Sequence, residues 1–230
     1  MPSPTIVIAT PHRRNDRLEA RVRERLPDYT VVRLRAKEDL SPEALDSIRP
    51  EFVFFPHWSS IIPGNVYSRF ECVIFHMTDV PYGRGGSPLQ NLIVRGHRET
   101  MVSALRCVGA IDAGPVYLKR PLSLAGTAEE ILQRASDLME TMIVEITELR
   151  PTPVLQSGEV VEFKRRSAAD GNIVVLAELP QIYDYIRMLD AEGYPPAFVD
   201  VAHLHLEFSA ARAGEGFVEA IVRITKRAGG

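Results

Sequence analysis

The sequence predicts an α/β fold: an open, mainly parallel sheet followed by a short β-rich C-terminal appendage. Three features carry this expectation. Short apolar runs of the buried-strand kind, Thr5-Ile-Val-Ile-Ala9, Phe52-Val-Phe-Phe55 and Cys72-Val-Ile-Phe75, recur through the first half. Helical patterns separate them at the rhythm of right-handed crossovers. Beyond Pro151 the texture changes to strand-and-turn material and alternating segments. The expected organisation is residues 1–150 as the main domain and 151–230 as linker, helix and small β appendage.

Composition narrows the class. The 230 residues are 45% hydrophobic and 25% charged, which is ordinary for a globular protein and excludes a disordered chain. A net charge of -3 gives no global basic field for nucleic acid or an anionic membrane. Two cysteines, Cys72 and Cys107, are too few for a disulfide framework or a structural zinc site and fit a reducing cytoplasm. The start MPSPTIVIAT lacks the pattern of a signal peptide, and no apolar run reaches the ~18 residues that span a bilayer.

Taken in order, Thr5–Ala9 is a strand, an Arg-rich helix follows near Asn15–Leu26, and Tyr29–Leu34 is the second strand. Ser41-Pro42 is an N-cap with proline at the first helical position, predicting a helix to Ile48. Strands at Phe52 and Cys72 flank a loop with a short helical stretch. Gly83-Arg-Gly-Gly-Ser-Pro88 reads as a glycine-rich loop feeding a helix that Ser87 caps and Gly96 ends. Asp112-Ala-Gly114 is a tight turn before a strand at Pro115–Pro121. Thr127 and Glu130 form a capping box for the longest helix, with Ile131, Ala135, Leu138, Met142, Ile146 and Leu149 on one stripe. A further helix is expected at Pro180–Glu192, and paired strands at Ala197–Glu207 and Phe217–Ile224.

Ligands of an open parallel sheet bind beyond the carboxyl ends of its strands. His76 directly follows such a strand, and Asp112 lies in a turn at the head of another. A carboxylate can orient a general-base histidine and stabilise its imidazolium, although spacing alone also fits two hydrated loop residues. His203 and His205 lie two apart on one face of an expected strand, but no third metal ligand is evident and no metal site is expected. The glycine loop suits an anion or a shaped pocket, and Lys164-Arg165-Arg166 a phosphate or a solvated surface. Cys72 and Cys107 read as small buried residues. Trp58 and Tyr82 could stack on a flat ring or simply pack.

The local sequence adds a resemblance. His76-Met-Thr-Asp-Val-Pro81 followed by Tyr-Gly-Arg84-Gly85-Gly-Ser-Pro88 resembles the signature of folate-dependent formyltransferases, His-x-Ser-Leu-Leu-Pro-x-x-Arg-Gly-x-x-Pro. Ile111-Asp112-Ala-Gly-Pro-Val-Tyr is similar to the family's Asp-x-Gly turn, and the His-to-Asp spacing looks like the family's. Phe52–Pro63 resembles the strand and Ile-Leu-Pro loop of the folate pocket. The resemblance is strong over about residues 50–150. It implies a Rossmann-like sheet of the formyltransferase type, with catalytic His76 and Asp112.

By the same resemblance, 10-formyltetrahydrofolate would lie against Trp58, Ser59, Ile61, Ile62, Pro63, Thr78, Asp79, Val80, Pro81 and Ile111. The acceptor would meet Tyr82, Arg84, Gly85, Gly86 and Pro88. The family's usual Asn two residues before the histidine is Ile74 here, so one donor to the formyl oxygen is missing. Losing such a donor can cost ~10²–10³ in rate.

The implied activity is transfer of the formyl group to a primary amine. Residues 151–230 hold 8 Lys+Arg and 11 Asp+Glu, which suits tRNA phosphates poorly. A compact domain with a short β appendage looks most like the amino-sugar enzymes, so the expected acceptor is a nucleotide-linked amino sugar and nucleic acid is not the expected partner. Alternatives are a 10-formyltetrahydrofolate hydrolase, or a methionyl-tRNA or glycinamide-ribonucleotide formyltransferase, or a binding protein that kept the fold. A homodimer is compatible with the resemblance.

Overall fold

The computed structural model describes residues 3–227. In chain order its elements are β1 (Thr5–Ala9), α1 (Asp16–Arg25), β2 (Thr30–Leu34), α2 (Pro42–Ile48), β3 (Phe52–Phe55), α3 (Gly64–Tyr67), β4 (Cys72–His76), β5 (Tyr82–Gly85), α4 (Pro88–Val94), β6 (Glu99–Arg106), β7 (Val116–Ser123), α5 (Ala128–Leu149), β8 (Val161–Phe163), α6 (Leu179–Arg187), β9 (Ala197–Val201), β10 (Leu204–Gly214) and β11 (Phe217–Lys226). They form two compact units. The first comprises Met1–Gly85, Thr100–Leu122 and Gln133–Glu162, the second Gly86–Glu99, Ser123–Leu132 and Phe163–Gly230.

The first unit is built on a sheet ordered β2-β1-β3-β4-β6-β7. The strands β2, β1, β3 and β4 run parallel, and β6 is antiparallel to β4. The apolar runs predicted as strands are buried on both faces, as parallel strands between helices must be: Ile6, Val7, Ile8, Val53 and Phe54 are fully buried. Ser41 caps α2 as expected, its Oγ accepting from Ala44 N. The Thr127–Glu130 capping box also forms, Thr127 N–H to Glu130 Oε2 at 2.8 Å and Glu130 N–H to Thr127 Oγ1 at 3.3 Å. Along α5 the buried stripe runs through Ile131, Ala135, Met139, Met142, Ile143 and Ile146. Leu149, expected on it, is largely exposed because the helix ends there, and Leu138 is only half-buried.

A parallel sheet ordered in this way has its crossover switch between β1 and β3, where ligands commonly enter. Here that crevice is filled by the protein's own polar groups. Asn15 Nδ2 donates to Thr10 Oγ1 (2.8 Å) and Pro56 O (3.3 Å), and Ser136 Oγ donates to Asn15 Oδ1 (2.8 Å). Ser136 also meets His57 Nε2 at 3.0 Å. The network anchors the turn after β3, where His57 takes a left-handed φ of 53°, and so fixes where Trp58 starts the next loop. Arg33, almost buried, locks the neighbouring edge by donating to Thr10 O, His12 O and Glu19 Oε2. Burial alone would raise the Glu19 carboxyl, but hydrogen bonds from Arg23 and Arg33 outweigh it and hold the group below its ordinary value.

Several expectations are corrected. The segment Glu99–Arg106, whose centre Val-Ser-Ala-Leu carries no β-branched run to mark a strand, is β6, paired with β4. The expected glycine loop is partly a strand, since Tyr82–Gly85 pairs with β8. In the second unit, Ser87 does not cap α4: it sits at φ 50° and its Oγ accepts from Arg166 N instead. Gly96, at φ 82°, ends that helix as expected. The helix expected at Pro180–Glu192 stops at Arg187, whose guanidinium is buried against Leu124 O, Gly126 O and Asp184. The segment expected as one strand, Ala197–Glu207, is two. It folds back at Ala202-His203, a turn without glycine, proline or asparagine to announce it. The result is an antiparallel sheet ordered β11-β10-β9.

Candidate active site

His76 is the last residue of β4 and shares a face with Cys72 and Ile74 by the two-residue period of a strand. Burial leaves 8% of its side chain exposed, so its ring is positioned by neighbours rather than by solvent. The Nε2 atom lies 2.7 Å from Gly83 O, and Nδ1 lies 3.4 Å from Asp112 Oδ2. The second distance is longer than a hydrogen bond, as catalytic contacts often are before a substrate compresses them. A neutral imidazole has one N–H for these two acceptors, so the ring can hold or release a proton between a carbonyl and a carboxylate.

Both partners are held by further bonds. Gly85 N–H donates to Asp112 Oδ2 at 2.9 Å, so β5 fixes the carboxylate that faces the ring. Thr78 Oγ1 donates to Gly83 O (3.3 Å), and Ser103 Oγ, from the strand opposite, donates to Thr78 O (2.7 Å). Asp112 occupies the left-handed region at φ 49°, an uncommon place for a residue other than glycine. Gly114 closes the turn so tightly that a Cβ there would meet Arg106 O at 1.8 Å.

Gln156 ties the turn from outside. Its Nε2 donates to Asp112 O and Gly114 O, both at 2.8 Å, while its Oε1 accepts from Arg84 Nε (3.1 Å) and Arg84 Nη2 (2.8 Å). One side chain therefore joins the Asp112 turn to β5. Sequence reasoning missed it because residues around 156 carry neither periodicity nor a motif. Ser103 was missed with β6, although a serine inside an apolar run is itself a signal of a buried polar role.

The residues expected around a flat ligand divide into groups. Ile62 is buried in the cluster of Val7, Val53, Phe55 and Cys72, against which Trp58, Ile74 and Cys107 also pack. The Trp58 ring meets Phe55 edge-on at 5.7 Å, and its Nε1 is a buried donor with no hydrogen-bond partner among the described residues. Ile74 lies between Phe55 and Leu105 in register, with an apolar side chain where a polar one was the family's habit. Thr78, Val80 and Pro81 are buried; Ser59 and Pro63 are exposed. Ile61 and Ile111 are 89% and 69% exposed. Asp79 is exposed and paired with Lys119, which also reaches Val80 O. Tyr82 and Arg84 are half-buried.

Gly86 and Pro88 belong to the second unit, where Gly86 allows the Arg165 backbone to pass within 2.6 Å of where a Cβ would stand. Burial, and then the Asp112 charge, push the Cys107 thiol up to about 11. Burial raises Cys72 further. Both are therefore thiols at neutral pH, in keeping with structural roles.

The expectation that His203 and His205 share one strand is corrected. His203 lies in the turn, whereas His205 in β10 bonds Asp200 Oδ1 through Nδ1 at 2.7 Å and lies against Phe198. Among the described residues no group of three His, Cys, Asp or Glu could hold a metal, and no helix is long and apolar enough to cross a membrane. In the second unit Arg166 lies over the Tyr185 ring at 5.3 Å.

Comparison with known proteins gives consistent results. A family model described as methionyl-tRNA formyltransferase, C-terminal domain, matches residues 168–225. The solved methionyl-tRNA formyltransferase from Clostridium thermocellum is 44% identical, with 97% of this chain and 99% of that chain covered and a TM-score of 0.94. The curated methionyl-tRNA formyltransferase of Prochlorococcus marinus is 28% identical over 74% of this chain and 49% of its own length. The chain thus spans about half the length of the curated relatives it matches.

Two more distant structures share the fold. HypX from Aquifex aeolicus in complex with tetrahydrofolic acid has a TM-score of 0.72 at 18% identity, covering 90% of this chain and 37% of its own. A sugar N-formyltransferase from a Shewanella species has 0.64 at 13%, covering 95% and 96%. The relatives with substantial sequence identity are methionyl-tRNA enzymes, so the expectation that set nucleic acid aside as a partner is not supported. The net charge on which that expectation rested counts residues without regard to where they cluster.

Proposed function

Because the chain belongs to the formyltransferase family, we propose that its first unit moves a formyl group from 10-formyltetrahydrofolate to a primary amine, with methionyl-tRNA as the acceptor. The observation that carries this reading is the pairing of His76 with Asp112: 3.4 Å apart, with Gly83 O on one side of the ring and Gly85 N–H on the carboxylate. When bound, the folate supplies the activated formyl group. His76 would accept the proton that the amine sheds as its nitrogen bonds the formyl carbon and would deliver it to the folate nitrogen whose bond to that carbon breaks, while Asp112 orients the ring and stabilises its charged form. Gln156 and Gly85 keep Asp112 in place.

The residues present fit a reduced folate. A flat ring system with polar edges needs an apolar wall and a donor, and Ile62, Ile74 and Trp58 offer an apolar wall with one buried indole N–H that no described residue satisfies. Ile74 removes the side-chain donor that the family pattern has at this position, so the carbonyl oxygen of the reacting group must be held by another N–H. Methionyl-tRNA is preferred as acceptor over an amino-sugar nucleotide because the relatives bearing that name are far more similar in sequence.

Titration with 5-formyltetrahydrofolate tests the cofactor, since Trp58 is the single tryptophan and its emission reports its own environment. Saturable quenching supports the reading; no binding near millimolar, about -4 kcal/mol, contradicts it. Parallel transfer assays with methionyl-tRNA, amino-sugar nucleotides and water distinguish the acceptors. A formylated sugar alone, or formate release without any amine, would replace the methionyl-tRNA assignment.

A further inference from the structure

The face of the sheet that carries His76 is short of hydrogen-bond donors. On β4 it continues through Ile74 and Cys72, and in register beside them lie Phe55 and Val53 of β3. On β6 the partners are Ser103 opposite His76 and Leu105 opposite Ile74. Ser103 gives its proton to Thr78 O, and a thiol such as Cys72 is a weak donor. Other donors near the ring are committed to the protein: Gly85 N–H to Asp112 Oδ2, the Gln156 amide to Asp112 O and Gly114 O, and Lys119 to Asp79 and Val80 O.

Trp58 brings a donor into this apolar stretch. It follows β3 closely, and its ring meets Phe55 edge-on, with centroids 5.7 Å apart and planes at 70°. Phe55 is the register neighbour of Ile74, and Trp58 and Ile74 pack against the same buried cluster. This sets the indole and the imidazole on one face, at the carboxyl ends of adjacent strands. Trp58 Nε1 is buried and has no hydrogen-bond partner among the described residues. Protein interiors leave few donors in that state, because each forfeits the bonds it made to water. An oxygen brought by a ligand restores the bond.

Resting on the formyl-transfer reading above, we propose that Trp58 Nε1–H donates to the oxygen of the formyl group. As the amine nitrogen bonds the formyl carbon, that oxygen takes up an electron pair from the C=O double bond. The pair returns when the bond from this carbon to the folate nitrogen breaks. The proton shed by the amine passes through His76, and Trp58 keeps its own proton throughout. A fixed donor against the apolar wall of Phe55 and Ile74 stabilises the oxygen most when its charge is largest, which lowers the barrier rather than only tightening binding. An indole that served the ring system of the folate instead would treat the formylated and the unformylated compound alike.

The test uses the full chain, whose single tryptophan gives a single indole signal in a proton–nitrogen correlation spectrum. Tetrahydrofolate and 10-formyltetrahydrofolate, the latter without an amine, differ only in the formyl group, so ring-current effects common to both cancel in the comparison. The formylated compound should move the indole proton downfield and slow its exchange with solvent, and tetrahydrofolate should do neither. Trp58→Phe keeps an aromatic ring and removes the donor. Its kcat should fall at least about tenfold, toward the ~10²–10³ that a lost oxyanion donor costs, while calorimetry should give a Kd for tetrahydrofolate within about threefold of the parent. Equal indole shifts with the two compounds, a Trp58→Phe enzyme with the parental kcat, or one whose loss lies wholly in affinity overturns the proposal and leaves formyl transfer standing. Binding of neither compound to the parent overturns the folate reading, and the proposal with it.

Discussion

Replacing Gln156 tests how the Asp112 turn is held. Its side chain makes two hydrogen bonds to carbonyls, Asp112 O and Gly114 O, and accepts two from Arg84. Gln156→Leu keeps most of the volume and removes all four. Two neutral side-chain bonds contribute roughly 0.5–1.5 kcal/mol each and those to a charged group more. Gln156 is only half-buried, so water replaces part of the loss, and the net expectation is about 1–3 kcal/mol of stability. Gln156→Glu separates the two functions: it keeps and strengthens the Arg84 contact but sets a carboxylate against the two carbonyls. Asp112 then loses the anchor on its backbone and keeps only Gly85 N–H on its carboxylate, while β5 keeps its own contact.

Displacement of a catalytic group by about 1 Å can cost 10²-fold in rate, so Gln156→Glu should lower kcat by roughly ten- to a hundredfold. The Km for the folate should change little. Urea denaturation and steady-state formyl transfer on the two variants decide it. A Gln156→Glu enzyme with the parental kcat refutes the idea that Gln156 positions Asp112. A uniform loss explained wholly by unfolding in both variants does the same.

Two further predictions concern the same turn. Gly114→Ala would place a Cβ 1.8 Å from Arg106 O, a backbone atom that cannot rotate away; the expected cost is roughly 1–3 kcal/mol of stability with lost activity, and an unchanged melting temperature would show that the turn is looser than described. The Cys107 thiol, pushed up to about 11 by burial and the Asp112 charge, should react with iodoacetamide at pH 8 on the order of a hundredfold more slowly than an ordinary thiol. Its folded form holds the proton more tightly than the unfolded chain, so its contribution to stability is present below about pH 8.5 and is lost as pH rises through about 11. Asp112→Asn should speed alkylation at fixed pH, and no change would place Asp112 away from Cys107.

The parallel half of the sheet was readable because burial on both faces demands uninterrupted apolar runs, and Thr5–Ala9, Phe52–Phe55 and Cys72–Phe75 are of that kind. Ser41-Pro42 and Thr127–Glu130 were readable because capping chemistry is local. What escaped was set by partners distant in sequence. β6 pairs across to β4 with Ser103 turned inward, and Ser87 is drawn off its cap by Arg166, 79 residues away. The site showed the same division. His76, Arg84 and Asp112 stood out through the family resemblance, whereas Gln156 acts through contacts to turns 42 and 44 residues distant, which no local pattern records. The acceptor was not legible for a related reason, since the total charge of residues 151–230 is silent on where its basic side chains gather.

The proposed transfer requires His76 and Asp112 to act as one unit. Its most direct test is a double-mutant cycle of His76→Asn and Asp112→Asn, measuring turnover in formyl transfer and, separately, affinity for 5-formyltetrahydrofolate by Trp58 fluorescence. Each single variant should lower turnover by roughly 10²–10⁴, with affinity kept within a few-fold. The double variant should be no slower than the worse single, because the carboxylate has no role without the ring it orients. A double variant whose loss equals the product of the two single losses would contradict the shared role, and so would a His76→Asn enzyme that turns over at the parental rate.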